Sequence, residues 1–380
     1  MGNRDEQMKK VVLLMMLIFI TQILSGWEFE HDIYMSAEYM RNGGDNAGEF
    51  FLEYYPSLQK HIYKSGNITL DSNIELMSRG AMKLEDEKEE GDLDLELYRL
   101  WLRSTAEQSE FRIGLQKINF GPAMYLRSLQ WFDRINALDP RQQTEGIWSM
   151  LMRYYTLDNS NYWFWAIYNE TELKGQELVK TRDKTLEMGG RIQLPIFGGD
   201  VGFSYHTRGL QNEDTAAREE EVFAVPQEKR AGLDGRWDIG IGLWLESSIA
   251  MYEEVDSLDL YIESYTLGGD YTFGIGNGLH LLYEHQYIRT EDSFWTLAEK
   301  EANISLLAAD YPIGLYDKLM GIVSFDHVNK DTYYYLSYNL VYKYVSIYFN
   351  LSVSPEDIEE TANGLSIPGK TFQILFQLNY

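Results

Sequence analysis

The chain has 380 residues, no cysteine, eight prolines, 28 tyrosines and a formal charge of −26. That acidity excludes a nucleic-acid binder, which needs Lys and Arg in excess to neutralise phosphate. The missing cysteine excludes disulfides, thiolate chemistry, Cys-ligated metal and a lipidated-cysteine anchor, and no Pro/Ser-rich or low-complexity boundary divides the sequence, so one continuous architecture is expected.

At the N-terminus, Lys9 and Lys10 precede the apolar run VVLLMMLIFI (11–20) and then TQILSG, which ends in the small residues Ser25 and Gly26. Basic residues, a short apolar core and a small-residue end read as a cleaved export signal over residues 1–26. The run is too short for a spanning helix, which needs roughly 20 apolar residues. Arg4, Asp5 and Glu6 sit ahead of it, so translation starts at Met1 or Met8. No later stretch can span as a helix, which leaves a closed β-barrel as the route across a membrane, because lipid offers no hydrogen bonds to an open backbone.

From Trp27 onward, apolar and polar residues alternate with period two in segments of about ten residues, separated by polar or glycine-rich turns. Trp27, Phe29, Ile33, Met35 and Tyr39 alternate with Glu28, Glu30, Asp32, Ser36 and Glu38. Near the C-terminus, Tyr334, Leu336, Tyr338, Leu340 and Tyr342, then Val345, Ile347, Phe349, Leu351 and Val353, oppose Ser337, Asn339, Ser346, Asn350 and Ser352. Apolar positions are expected to face lipid and polar ones a lumen. The expectation is an all-β transmembrane antiparallel barrel over 27–380, with about 18 strands (16 to 18 fit) and no plug domain.

The connections support this. Even-numbered links are short: YKSGN near Ser65, TAEQSE near Glu107, LDNSN near Asn159, PIFGGD near Gly198 and GIGNG near Gly276. The odd ones are long and acidic (KLEDEKEEGD, TELKGQELVKTRDK, QNEDTAAREEE, SPEDIEETANG) and are expected to be extracellular, against the lipopolysaccharide surface. Trp148, Tyr154, Tyr155, Tyr162, Trp163 and Trp165 are expected in the aromatic girdles at the membrane interfaces.

The least repetitive stretch runs from Phe111 to Gly146. It follows a strand with Arg112 and Gln116 on the lumen face, and mixes Arg127, Arg134 and Arg141 with Trp131, Phe132, Asp133 and Asp139. In an acidic protein, arginines interleaved with carboxylates fit a folded-in loop narrowing the lumen, with the two aromatic rings available to solutes. A salt-bridged loop that braces the wall fits the same residues.

The closing strand TFQILFQLNY places Phe372, Ile374, Phe376, Leu378 and Tyr380 on one face. It resembles the C-terminal signal of outer-membrane barrels, which implies recognition by the barrel-assembly machinery; Tyr380 stands where Phe is usual. The run IGLQKINFG, then WFDRI and DP, resembles the corresponding region of the alginate-export and related porin-like barrels. That resemblance implies a porin-like channel. Leu115 occupies the position that often holds Arg there, and the acidic balance disfavours polyanions, so no polyanion site is carried over.

Catalytic signals are weak. Ser204 and His206 share a strand face, but a polar lumen stripe with Arg208 accounts for them. His280 and His285, five apart, point to opposite faces and cannot share a metal. The glycine runs open no helix, so they are turns and not phosphate loops. No cofactor, metal or enzymatic role is expected. The expected function is passive diffusion of small solutes, leaning to cations through lumen carboxylates such as Glu28, Glu30, Glu75, Glu187, Glu263 and Glu284. The alternative is a non-conducting barrel whose loops dock a partner.

Overall fold

The structure, a computed structural model, describes residues 27–42, 45–85, 88–168, 172–211, 227–255, 258–291, 300–355 and 369–378. The expected export signal and Tyr380 lie outside the described residues. The strands in chain order are β1 (Glu28–Asn42), β2 (Asp45–Ser65), β3 (Ile68–Glu85), β4 (Lys88–Ala106), β5 (Ser109–Gln116) and β6 (Ile147–Tyr155). Next come β7 (Asn161–Tyr168), β8 (Leu186–Ile196), β9 (Gly199–Gly209), β10 (Gln227–Asp238), β11 (Gly242–Val255) and β12 (Leu258–Phe273). The last are β13 (Leu279–Glu291), β14 (Lys300–Pro312), β15 (Lys318–Asp326), β16 (Thr332–Val341), β17 (Val345–Val353) and β18 (Lys370–Leu378).

Each strand pairs antiparallel with its chain neighbours, and β1 pairs with β18 from Ile33↔Leu378 to Arg41↔Lys370. The 18-stranded sheet therefore closes on itself and leaves no unpaired edge. Even-numbered connections hold two to five residues, whereas odd-numbered ones reach the 30 residues of 117–146.

Parity separates the two faces. On the outer face Phe50, Leu52, Phe203, Leu307, Val323, Leu336, Leu351, Phe372 and Phe376 are exposed, as a lipid-facing belt requires. The inner face is polar at the closing seam. There Ser337 Oγ donates to Asn350 Oδ1 (2.7 Å), Asn350 Nδ2 to Gln373 Oε1 (2.8 Å), and Gln373 Nε2 to Glu38 Oε2 across the β18–β1 joint (3.2 Å).

Three expectations are corrected. KLEDEKEEGD is mostly strand: β3 and β4 take all of it except positions 86–87. With β2 they run for 18 to 21 residues, about twice the 9–11 that cross a bilayer, so this part of the wall projects beyond the membrane. Second, Trp163 and Trp165 turn inward, with Trp165 wholly buried, while Trp148, Tyr154 and Tyr162 face outward. Third, Glu263 has the opposite parity to the inward Ser264 and Thr266, so it faces outward, where Arg289 Nη2 lies 2.9 Å away.

Candidate functional site: the segment between β5 and β6

Residues 117–146 form no strand, yet Ile118, Leu126, Ser128, Leu129, Trp131, Phe132 and Asp133 are almost fully buried. A 30-residue connection cannot bury that much apolar surface by itself, so it must borrow the wall. It does so chiefly through two carboxylates. Glu284 on β13 accepts the backbone N–H groups of Met124 (2.7 Å), Tyr125 (3.0 Å) and Leu126 (2.6 Å), and the Trp244 indole (3.0 Å). Glu246 on β11 accepts those of Ala123 (2.8 Å) and Leu129 (3.0 Å). Irregular backbone inside a barrel has no ladder partner, and these side chains take the place of one.

The other end of the segment is tied to a different part of the wall. Arg141 Nη1 bonds Glu53 of β2 (2.7 Å), the Thr144 amide donates to the Tyr98 hydroxyl of β4 (3.0 Å), and Arg99 donates to the Thr144 carbonyl. In a ring of 18, β4 lies opposite β13 and β2 opposite β11. One segment is thus hydrogen-bonded to facing walls.

Packing follows the same plan. Phe120, Trp131, Phe132 and Trp165 form one aromatic cluster, with Phe120 stacked on Trp165 at 5.7 Å and Phe132 edge-on to His206 at 5.1 Å. Ser128 bonds Ser264 and Thr266, and the Trp131 indole bonds Ser248 (2.9 Å). Wall glycines make the room: a Cβ on Gly232 would lie 2.5 Å from Leu129 Cδ2 and 3.0 Å from Trp131. The β7–β8 connection then lies on the segment, where Gln176 donates to the Gln130 and Arg127 carbonyls and Arg134 Nε to the Gly175 carbonyl. Gly175 has φ +46°, and a Cβ there would lie 2.2 Å from the Gln130 oxygen, a site only glycine fills without strain.

The residues singled out from the sequence divide accordingly. Arg127 and Asp133 pair with each other (3.1 Å) in a buried position, and Arg141 bonds both Asp139 and Glu53. Trp131 and Phe132 are packed away at 2% and 4% exposure, leaving almost no ring surface for a solute. Gln116 is buried and donates to the Ser149 carbonyl, while Arg112 keeps partial exposure beside Glu110 and Arg134 is exposed. Outside the strands, burial pulls the Arg141 pKa down, but its contacts with Asp139 and Glu53 outweigh that and raise it. Burial lowers the pKa of the Lys117 ammonium.

Sequence reasoning missed Glu246 as an anchor, and took Glu187 and Glu284 as open lumen carboxylates. Glu284 is filled by the segment, and Glu187 by Lys174 (2.9 Å), Thr181 and His206. Ser204 accepts from Arg191, and His206 bonds Glu187 and Trp165, so neither side chain is poised toward the other. His280 faces inward between Asp270 and Asp310, His285 outward, and no metal-holding group of three ligands occurs among the described residues. Inward positions still open to water include Arg79 on β3, Arg103, Arg112 and Arg153 on β4–β6, Glu75 on β3, and Glu28, Glu30 and Asp32 on β1.

No protein-family model matches the chain, and no curated protein sequence does. Its backbone is similar to solved outer-membrane porins. OccAB4 of Acinetobacter baumannii superposes with a TM-score of 0.57 at 9% identity, over 94% of this chain and 98% of that one. This chain has the closed β-barrel fold of the outer-membrane porins. OccK7 of Pseudomonas aeruginosa matches the barrel at 0.56 and 11% identity over 93% and 98% of the two chains. OccK2 of the same organism, solved with glucuronate, matches it at 0.55 and 11% over 94% and 96%.

Proposed function

We propose that the barrel is a channel for passive diffusion of small solutes, and that residues 117–146 narrow it. The reading rests on one observation: the segment is bonded to β2 and β4 at one end and to the facing β11 and β13 at the other. A segment held at both ends obstructs the passage without filling it with a separate domain. In this reading Arg127, Asp133, Asp139, Trp131 and Phe132 stiffen the constriction, and its surface toward the solute comes from Arg112, Arg134 and the neighbouring Arg103 and Arg153. With Glu187, Glu246 and Glu284 engaged, the cation preference expected of the lumen carboxylates falls to Glu28, Glu30, Asp32 and Glu75 and is opposed by the arginine row. Small polar solutes that can meet both signs are the favoured class.

Kinship with the alginate-export barrels remains part of the proposal only as far as IGLQKINFG and WFDRI carry it. We also propose that the outward Phe372, Phe376 and Leu378, together with the terminal residue Tyr380, are read by the barrel-assembly machinery, and that the outer loops meet lipopolysaccharide. No chemistry is proposed inside the lumen.

The test is excision. A variant in which residues 118–145 are replaced by a short Gly-containing turn should insert into planar bilayers with a larger unitary conductance than the wild-type chain. A folded excision variant with wild-type conductance would mean that the segment does not limit the passage.

A further inference from the structure

The outer surface carries a polar cluster that the channel does not use. His285 of β13 is the register partner of Ser305 of β14, and Ser305 that of Phe325 at the end of β15, two residues before His327. Ser305 Oγ lies 2.9 Å from His285 Nδ1, 2.8 Å from His327 Nε2 and 3.2 Å from the Tyr283 hydroxyl. His327 is held in place: its amide donates to the Asn303 carbonyl (2.8 Å), and its ring meets Phe325 edge-on at 4.8 Å. All four side chains have outward parity, opposite to the inward Glu284, Leu306 and Ser324.

The cluster sits at a boundary. Above it, toward the extracellular side, Glu263, Arg289, Glu291 and Glu301 occupy the same outer face, with Arg289 bonded to Glu263 and Glu291. Below it, about 7 Å away at two residues along the strand, opens an apolar groove of about 370 Å³. Ala309 and Gly321 form its floor, and Leu307, Val323, Tyr334 and Leu336 line it. A charged row above and an acyl-sized apolar groove below bracket the depth at which the ester linkages of outer-leaflet lipids lie, between headgroups and hydrocarbon.

The chemistry of the cluster is directional. A serine hydroxyl has a single proton, so two imidazole nitrogens within 3 Å of it cannot both be acceptors: one accepts from Oγ and the other donates to it. That is the arrangement of a nucleophile beside a base with a second donor in reach. Two imidazoles around a hydroxyl are not a metal site, and polar groups on a lipid-facing surface are costly without a purpose.

We propose that this is a hydrolytic site for acyl esters of outer-leaflet lipids, with Ser305 as nucleophile, His327 as base and the groove as the seat of the acyl chain. Ser305 Oγ attacks the ester carbonyl as its proton passes to His327 Nε2, and His285 Nδ1–H and the Tyr283 hydroxyl donate to the developing oxyanion. Collapse breaks the ester C–O bond, and His327 returns the proton to the leaving alcohol. Water, deprotonated by His327 Nε2, then attacks the Ser305 acyl ester; the acyl C–Oγ bond breaks, the fatty acid leaves, and His327 returns the proton to Ser305 Oγ.

The site lies on the opposite side of the wall from the channel, so the two readings stand or fall separately. The folded barrel is reconstituted into phosphatidylethanolamine vesicles and, in parallel, into vesicles containing lipopolysaccharide, and fatty-acid release is followed. Release from either, reduced at least 100-fold in Ser305→Ala and in His327→Gln with single-channel conductance unchanged, is the expected result. Absence of release from both by a barrel that conducts, or release that persists in Ser305→Ala, would overturn the proposal.

Discussion

Glu284→Ala is the sharpest perturbation of the proposed constriction. The carboxylate receives three backbone N–H groups and one indole N–H. An orphaned buried donor costs about 1–3 kcal/mol, and water in the lumen can replace some of these bonds. The Trp244 indole belongs to the wall and loses its partner whether or not the segment is docked, so about 1 kcal/mol for each of the three segment N–H groups, about 3 kcal/mol in total, is the working figure. Since 1.4 kcal/mol is a factor of ten, the ratio of undocked to docked segment should rise roughly 10²-fold. Glu284→Gln keeps one acceptor oxygen and should lose about half of that free energy. In single-channel recordings this appears as brief excursions to a larger conductance, rare in the wild-type chain, frequent in Glu284→Ala and intermediate in Glu284→Gln. Identical amplitude histograms and open-channel noise for all three folded proteins would refute the anchoring role of Glu284.

Further outcomes follow from the same geometry. Gly232→Val drives a side chain into Leu129 and Trp131, an overpacking that costs about 1–3 kcal/mol, and should raise open-channel noise and change the tryptophan emission of the cluster; a silent substitution would mean that the segment does not rest on β10. Arg112→Glu, together with Arg103→Glu, should swing the reversal potential in a salt gradient toward cations, and an unmoved potential would remove the arginine row from the passage. Because burial lowers the Lys117 pKa, its charge should be lost as pH rises before the ~10.4 of an ordinary lysine. As that charge is lost on the alkaline side the reversal potential should shift toward cations, and Lys117→Arg should abolish the shift; a pH-independent reversal potential would contradict it.

Much of the fold could be read from the sequence because a barrel strand repeats one simple rule. The period-two runs of β1 and β16–β18 gave the correct faces, and counting such runs gave the strand number, whereas the expected contrast of short and long connections holds at the even-numbered links and fails at β3–β4 and β11–β12, whose links are two residues long. The failures have physical causes. KLEDEKEEGD is charged on both faces, and a strand that leaves the membrane has no lipid side to mark it. β12 carries Glu263 and Tyr265 outward and Ser264 and Thr266 inward, so polarity alone could not assign its sides. The segment 117–146 stood out by its lack of repetition, but the roles within it depend on contacts to strands more than a hundred residues away, such as Ala123 to Glu246. Trp131 and Phe132 looked available only because Phe120, Trp165 and His206 could not be seen closing over them. Likewise Ser305 has no histidine near it in sequence; the strand register brings His285 and His327 to it from 20 and 22 residues away.

The central claim is that this barrel conducts. Recording the proposed mature chain, from Trp27 onward, in planar bilayers under a salt gradient tests it directly. Discrete, long-lived openings of uniform amplitude, with a reversal potential that responds to Arg112→Glu, are expected. A chain that folds into the bilayer and stays electrically silent, also after residues 118–145 are excised, would contradict the account and favour a barrel that serves to dock a partner.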